Sequence, residues 1–262
     1  VTVYLVSDLH GAADPLRKAV PEGATLLLLG DLLNVIDYFE MTGILVDIFG
    51  HEPVARVNEL RLAGDLEEAR RVMQERSEGR QEEIRQSFGK LAAQEYERVF
   101  SALPDPSYVI LGNVDIPHMA ARFADGAPGV HMPDGHVVEI EGERFGFVGG
   151  ALPTPLHVAG EITEEEMRSK VEGLGDCDVL CSHIPPAIPE LCYDTLAGRA
   201  EKGSEDLLRY IQEVQPVRHY FGHVHQPLVS SLRVGSTLCV NVGYFRRTKR
   251  AHPHRRSRRE DE

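Results

Sequence analysis

Asp8 and His10, in the run VSDLH, stand two residues apart, a spacing that turns both side chains to one side of an extended segment. His223 and His225, in GHVH, repeat that spacing with two imidazoles. Between these pairs come Asp31 in GDLLN, Asn113 in GNVD and His183 in SHIPP. A carboxylate has two oxygens and can bridge two cations, and a carboxamide oxygen is a neutral hard ligand. These donors are nitrogen and oxygen without thiolate, a set that suits Mn, Fe, Zn, Ni or Co better than a soft metal. One Gly-Asp pair is usually a turn, and one histidine at a strand end is usually a structural residue. Seven such residues read as a single metal-binding site only if the fold carries them to one place.

The elements that must do so are apolar runs that stop at polar or glycine residues: 1–7, 25–29, 108–111, 178–181 and 218–221. Each is read as a buried strand. Asp8 and His10 follow the first, Asp31 the second, Asn113 the third, His183 the fourth, and His223 and His225 the fifth. The carboxyl ends of strands are where ligand sites of α/β sheets form. VVEIEGERFGFVGG and LVSSLRVGSTLCVNVG carry short turns, at Gly142-Glu143 and Gly235-Ser236, between strand-like arms, as hairpins do. Helical patterns separate the earlier strands, so the fold class is α/β. A long stretch at 35–103 is dominated by helix formers, and Ile84, Phe88, Leu91, Ala92, Tyr96, Val99 and Phe100 keep one helical face. A packing helix with a charged outer face is the expectation. The sharper alternative is a helical cap over the site, or a homo-oligomer interface.

In order, DLH, GDLLN, GNVD, SH and GHVH resemble the blocks of the calcineurin-like metallophosphoesterases, over residues 3–242. The resemblance implies a four-layer αββα sandwich with two mixed β-sheets. It implies a metallophosphoesterase domain at 1–245 that includes the helical insertion at 35–103. It also implies that Asp8, His10 and His225 hold one metal and that Asn113, His183 and His223 hold a second, with Asp31 bridging them. The favoured metals are Mn, or Fe with Mn. Two such ions roughly 3.5 to 4 Å apart activate a bridging hydroxide and stabilise the attacking and leaving oxygens. Asp31, Asn113 and His183 are then catalytic as well as ligating, and no protein nucleophile is needed. Asp115, the last position of GNVD, is expected to hold a ligand or loop through hydrogen bonds.

One position departs from the pattern. Many family members carry a histidine directly after the Asn of the third block, where it protonates the leaving group or binds the phosphoryl oxygen; here Val114 stands. Such proton transfer contributes roughly 10²- to 10⁴-fold, and valine cannot supply it. His118, three residues beyond Asp115, is the nearest replacement. The resulting expectation is a phosphodiesterase of small, nucleotide-derived esters. A phosphomonoesterase is the first alternative, and a catalytically weak metal-binding scaffold the second.

Charge narrows the partners. The formal net charge is -13, and without residues 246–262 the chain keeps 20 basic and 38 acidic residues, or -18. Such a field disfavours a nucleic-acid backbone as substrate. The final run, RRTKRAHPHRRSRREDE at 246–262, is expected to be a disordered basic tail, the one segment suited to a nucleic acid or acidic partner. Cys177, Cys181, Cys192 and Cys239 lack CxxC spacing and are read as reduced thiols, Cys177 and Cys181 as core residues. There is no long apolar run, so no membrane association is expected and a cytoplasmic location is.

Overall fold

The computed structural model describes residues 2–154 and 158–256. In chain order it begins with β1 (Val3–Val6), α1 (Ala13–Ala19) and β2 (Thr25–Leu29). Four helices follow, α2 (Ile44–Phe49), α3 (His51–Leu62), α4 (Leu66–Ser77) and α5 (Gln81–Phe100). Next come β3 (Ser107–Ile110), α6 (Pro117–Asp125), β4 (Val130–His131), β5 (Val137–Ile140), β6 (Glu143–Val148), α7 (Glu164–Gly173) and β7 (Val179–Ser182). After α8 (Pro189–Cys192) and the small hairpin β8 (Tyr193–Asp194) and β9 (Arg199–Ala200) come α9 (Glu205–Val214) and β10 (Arg218–Phe221). The described chain finishes with β11 (Ser231–Val234), β12 (Thr237–Asn241), α10 (Phe245–Thr248) and β13 (His252–Pro253).

Two mixed sheets result. One has the order β13-β1-β2-β3-β4, the other β11-β12-β10-β7-β6-β5. In the first, β1, β2, β3 and β4 run parallel and β13 is antiparallel to β1. In the second, β6, β7, β10 and β12 run parallel and the outer strands β5 and β11 are antiparallel. The leucine run of β2 shows why a continuous apolar strand is needed. Leu26 and Leu28 face the helices, while Leu27 and Leu29 face the other sheet. Burying each such side chain contributes roughly 1.5–3 kcal/mol.

Three apolar layers separate four structural ones. Leu27, Leu29 and Ile110 meet Phe145, Phe147, Val179 and Tyr220 between the sheets. Leu16, Ile44, Tyr96, Val99 and Ala120 bring α1, α2, α5 and α6 onto the outer face of the first sheet. Met167, Val171, Leu207 and Ile211 bring α7 and α9 onto the outer face of the second. This is the αββα sandwich that the sequence blocks imply. All four cysteines are buried and unpaired.

Within the helical stretch, α5 packs against the first sheet. Along α5, Ala92, Tyr96, Val99 and Phe100 are buried against the first sheet, with Phe88 and Leu91 half-buried beside them. α3 and α4 close their own small cluster through Val57, Leu60 and Ala69.

The tail expectation is corrected for residues 246–256. Arg246 is only 15% exposed in its side chain and pairs with Asp37 (2.8 Å) and Glu40 (3.1 Å). β13 extends the first sheet, and His254 lies between Glu143 (3.0 Å) and the Tyr220 hydroxyl (3.1 Å). Clustered positive charge reads as self-repelling when its acidic partners are more than a hundred residues away in sequence. Here those partners are supplied by tertiary structure. Residues 257–262 lie outside the described residues.

Candidate metal centre

The candidate ligands sit in loops at the carboxyl ends of β1, β2, β3, β7 and β10, where the two sheets come together. Backbone hydrogen bonds carry the β1–β2 pairing past the strand ends: Asp8 N donates to Gly30 O, His10 N to Asp31 O and Gly11 N to Leu32 O. In the second sheet, Gly222 N donates to His183 O. The sheets are joined directly by Asp8, whose carboxylate accepts from His223 N at 3.0 Å.

Two trios of donor atoms result, Asp8 with His10 and His225, and Asp31 with His183 and His223, each with its ligand atoms within 4.8 Å of one another. Asp31 faces both: its Oδ2 lies 3.7 Å from His10 Nε2 and its Oδ1 3.5 Å from His183 Nε2. Asn113 Oδ1 joins the second trio, 3.2 Å from His183 Nε2 and 3.0 Å from His223 Nδ1. All seven candidates are therefore brought together.

The donor set fits a pair of divalent cations. His10 Nδ1 donates to Leu33 O at 2.9 Å and His183 Nδ1 donates to Leu29 O at 2.8 Å. A backbone carbonyl can only accept, so the Nε2 lone pair of each ring points inward, an orientation typical of metal-binding histidines. Inside, those lone pairs face further acceptors: Asn113 Oδ1, the Asp31 carboxylate and, for His10, the His225 Nε2 at 3.3 Å. Acceptors gathered in this way need cations or protons between them.

The proton affinities agree. For His225, burial lowers the affinity, but the hydrogen bond and charge of Asp8, with Asp31 and Asp194 beyond, raise it overall. Burial likewise opposes ionisation of Asp8, yet the hydrogen bond from His225 and the charges of His225, His183 and His10 hold its carboxyl well below the usual range. Burial, reinforced by His183, pushes His223 down to about 4. Burial also lowers His10, against the pull of Asp31 and Asp8. A proton is thus drawn to the position where a cation would be held.

Four of the candidates have left-handed backbones: Asp8 (φ 56°), His10 (φ 41°), Asp31 (φ 54°) and His223 (φ 65°). Side-chain-bearing residues held there cluster at functional sites, where the surroundings over-determine them. Gly112 and Gly222 allow the crowding. A Cβ on Gly112 would press on Asp31 Oδ1 and lie 2.7 Å from His183 Cε1, and one on Gly222 would press on Ser7 and lie 2.5 Å from Asp8 Oδ2.

Behind the donors, Asp115 is fully buried and ties the loops together. Its carboxylate accepts from Leu32 N (3.0 Å), Leu33 N (3.4 Å), Gly112 N (2.9 Å) and the Tyr96 hydroxyl (3.4 Å). Burial and the neighbouring Asp31 charge raise its pKa to about 6. Val114 takes part through its backbone, its N–H donating to Asp31 Oδ1 at 3.1 Å. His118 is exposed in the first turn of α6 and shares none of the hydrogen bonds described for the cluster.

Several supporting roles were not read from sequence. From α5, Glu95 accepts from Asn34 N at 2.9 Å, and the Tyr96 hydroxyl accepts from Ile116 N at 2.7 Å. Asp194 accepts from His225 N at 3.0 Å, and Asn241 Nδ2 donates to Val224 O at 2.9 Å. Tyr244 and Arg246 approach from the chain's last described segment. The sequence signal for the last two was an aromatic pair, Tyr244-Phe245, immediately before the run read as a disordered tail.

Parallel strands ending in a shared nest of carboxylate, carboxamide and imidazole donors form a candidate metal centre on a two-sheet scaffold. The sequence profile of the calcineurin-like phosphoesterases matches residues 1–227, and the chain belongs to that family. The chain is 34% identical over 83 residues to the UPF0046 protein K07C11.7 of Caenorhabditis elegans, a match spanning 29% of this chain and 27% of that protein. A purple acid phosphatase, PPD1 from yellow lupin (Lupinus luteus) seeds, aligns with 93% of this chain and 44% of its own, at 12% identity and a TM-score of 0.39. The chain thus covers less than half of either protein. Among the described residues no helix is long and apolar enough to cross a membrane.

Proposed function

We propose that this protein hydrolyses phosphodiester bonds of small, nucleotide-derived substrates at a dinuclear metal centre. The observation that carries the reading is Asp31, whose two oxygens face different donor trios at 3.7 and 3.5 Å. Asp8, His10 and His225 would hold one ion and Asn113, His183 and His223 the other, with Asp31 shared. Bound divalent ions would lower the pKa of a water and offset charge on the attacking and leaving oxygens.

The chain's own contribution is position. Asp115 fixes the loops that carry Asp31 and Asn113, and the Val114 N–H fixes the Asp31 carboxylate. The buried carbonyl partners of His10 and His183 keep both rings in one tautomer. Valine stands at 114 and His118 is exposed, so among the described residues neither position supplies an imidazole poised to protonate a leaving oxygen. That favours leaving groups able to depart as anions. The charge on the substrate argues the same way. A monoester dianion asks for more positive charge than a diester monoanion, and the guanidinium bonded to this site, Arg246, is already engaged by Asp37, Glu40, Thr42 and His10 O.

The test compares Mn-loaded protein on bis(p-nitrophenyl) phosphate and p-nitrophenyl phosphate, with Asp31→Ala as control. Faster hydrolysis of the diester, lost in the variant, is expected. Hydrolysis of the monoester alone would sink the diesterase reading.

A further inference from the structure

The seven candidate donors are not supported equally. His10 and His183 each anchor their outer ring nitrogen on a backbone carbonyl. No hydrogen bond is described for His225 Nδ1, and its side chain is 28% exposed. Its Nε2 faces Asp8 at 3.5 Å, and its ring is held by an aromatic neighbour. The Tyr244 ring lies flat on the His225 ring, centroids 3.9 Å apart and planes 7° apart. The same Tyr244 meets His10 edge-on, at 5.7 Å and 87°.

Tyr244 is fastened in place by the backbone around it. Ser7 and Tyr244 form a parallel bridge, Phe245 N donates to Ser7 O at 3.1 Å, and Arg246 N donates to Asp8 O at 3.1 Å. The Arg246 side chain completes the attachment. It donates to His10 O at 2.6 Å, to Asp37 Oδ2 at 2.8 Å, to Thr42 Oγ1 at 2.9 Å and to Glu40 Oε2 at 3.1 Å. Asp37 in turn accepts from Phe39 N and Glu40 N. The carbonyl that Arg246 grips belongs to His10, one of the residues with a left-handed backbone. Both histidines of one trio are thus held by a single short segment. His183 and His223 of the other trio contact each other, ring centroids 5.1 Å apart.

We propose that Tyr244 and Arg246 are positioning residues for one half of the centre, setting the ion affinity of the Asp8–His10–His225 trio. The proposal rests on the reading of the cluster as a dinuclear metal site. Stacking replaces the hydrogen bond that would otherwise fix a metal-binding imidazole, and it needs the face of the Tyr244 ring rather than its hydroxyl. Arg246 acts on His10 through the main chain and ties the 37–42 loop to it.

The experiment is a calorimetric Mn²⁺ titration of ion-free full-length wild type, Tyr244→Ala, Tyr244→Phe and Arg246→Ala, with His225→Ala marking which binding step belongs to this trio. Wild type should bind two ions. Tyr244→Ala and Arg246→Ala should weaken the step missing in His225→Ala by roughly 10- to 100-fold, as loss of such supporting contacts does, and leave the other step in place. Tyr244→Phe should restore the wild-type curve. The retained step reports that the variants are folded. Unchanged affinity at both steps in Tyr244→Ala, equal weakening of both, or a Tyr244→Phe curve matching that of Tyr244→Ala, overturns the proposal. Wild type that binds no divalent ion overturns the metal-centre reading and this inference with it, so the two failures are distinct.

Discussion

Replacing His219 by glutamine should flatten the acid side of the stability curve. His219 is wholly buried in β10, the strand that leads into His223 and His225. Ser182 Oγ donates to Ile184 O at 2.7 Å and lies 2.7 Å from His219 Nε2. A hydroxyl has one proton to give, so Nε2 must be the donor in the second contact, and Nδ1 is left as a bare, unpartnered nitrogen in the core. Charging the ring would put an unpaired N–H⁺ there. Burial accordingly pushes His219 down to about 3 from the ordinary 6.5.

A depressed value in the folded state means that the unfolded chain binds the extra proton between those two values. Stability from this source is complete above 6.5 and falls as pH drops toward 3. At about pH 5, some 1.5 pH units below the unfolded value, the loss amounts to ~2 kcal/mol. Glutamine keeps an N–H at the position of Nε2 and cannot titrate. Urea unfolding of chelator-treated protein at about pH 7.5 and about pH 5 should therefore show wild type losing ~2 kcal/mol more than His219→Gln. The other buried histidines are common to both proteins and cancel in the comparison. Equal losses would refute the reasoning.

Three further outcomes are expected. Gly112→Ala should cost ~1–3 kcal/mol in denaturant unfolding, because the new methyl meets Asp31 and His183; an unchanged midpoint would contradict that steric account. Asp115→Asn replaces a carboxylate that accepts at both oxygens with a group that accepts at one atom only, so that even with its oxygen toward Leu32, Leu33 and Tyr96 the buried Gly112 N–H loses its acceptor, at ~1–3 kcal/mol, readable in the same assay. Mn²⁺ at about one hundred times its dissociation constant should stabilise wild type by ~2.7 kcal/mol for each ion bound and EDTA should reverse it, while Asp31→Ala should gain far less in thermal melts.

The layered architecture and the donor cluster were legible because both depend on short-range pattern. A doubly buried strand must be continuously apolar, as 25–29 is, and polar residues at its end stand out. Support from afar leaves no such trace. Arg246 reads as one charge in a basic run, yet its carboxylates are Asp37 and Glu40. Glu95 reads as part of a solvated helix face, yet it is 6% exposed and holds Asn34. His118 shows the reverse: it is near the donors in sequence, yet it lies exposed on α6 and shares none of the hydrogen bonds described for the cluster. The left-handed backbones at Asp8, His10, Asp31 and His223 are likewise invisible to propensity, because tertiary contacts impose them.

Those four positions set stability against function. A left-handed backbone costs a side-chain-bearing residue roughly 1–2 kcal/mol that glycine does not bear. Screening variants for heat resistance alone would therefore reward glycine at the places where a donor atom is needed. Selection for stability and selection for ion binding pull in opposite directions there, as expected where activity requires a strained site. A thermostabilised version of this chain should draw its gains from elsewhere, and enrichment of glycine at these four codons would mark a population shedding its chemistry.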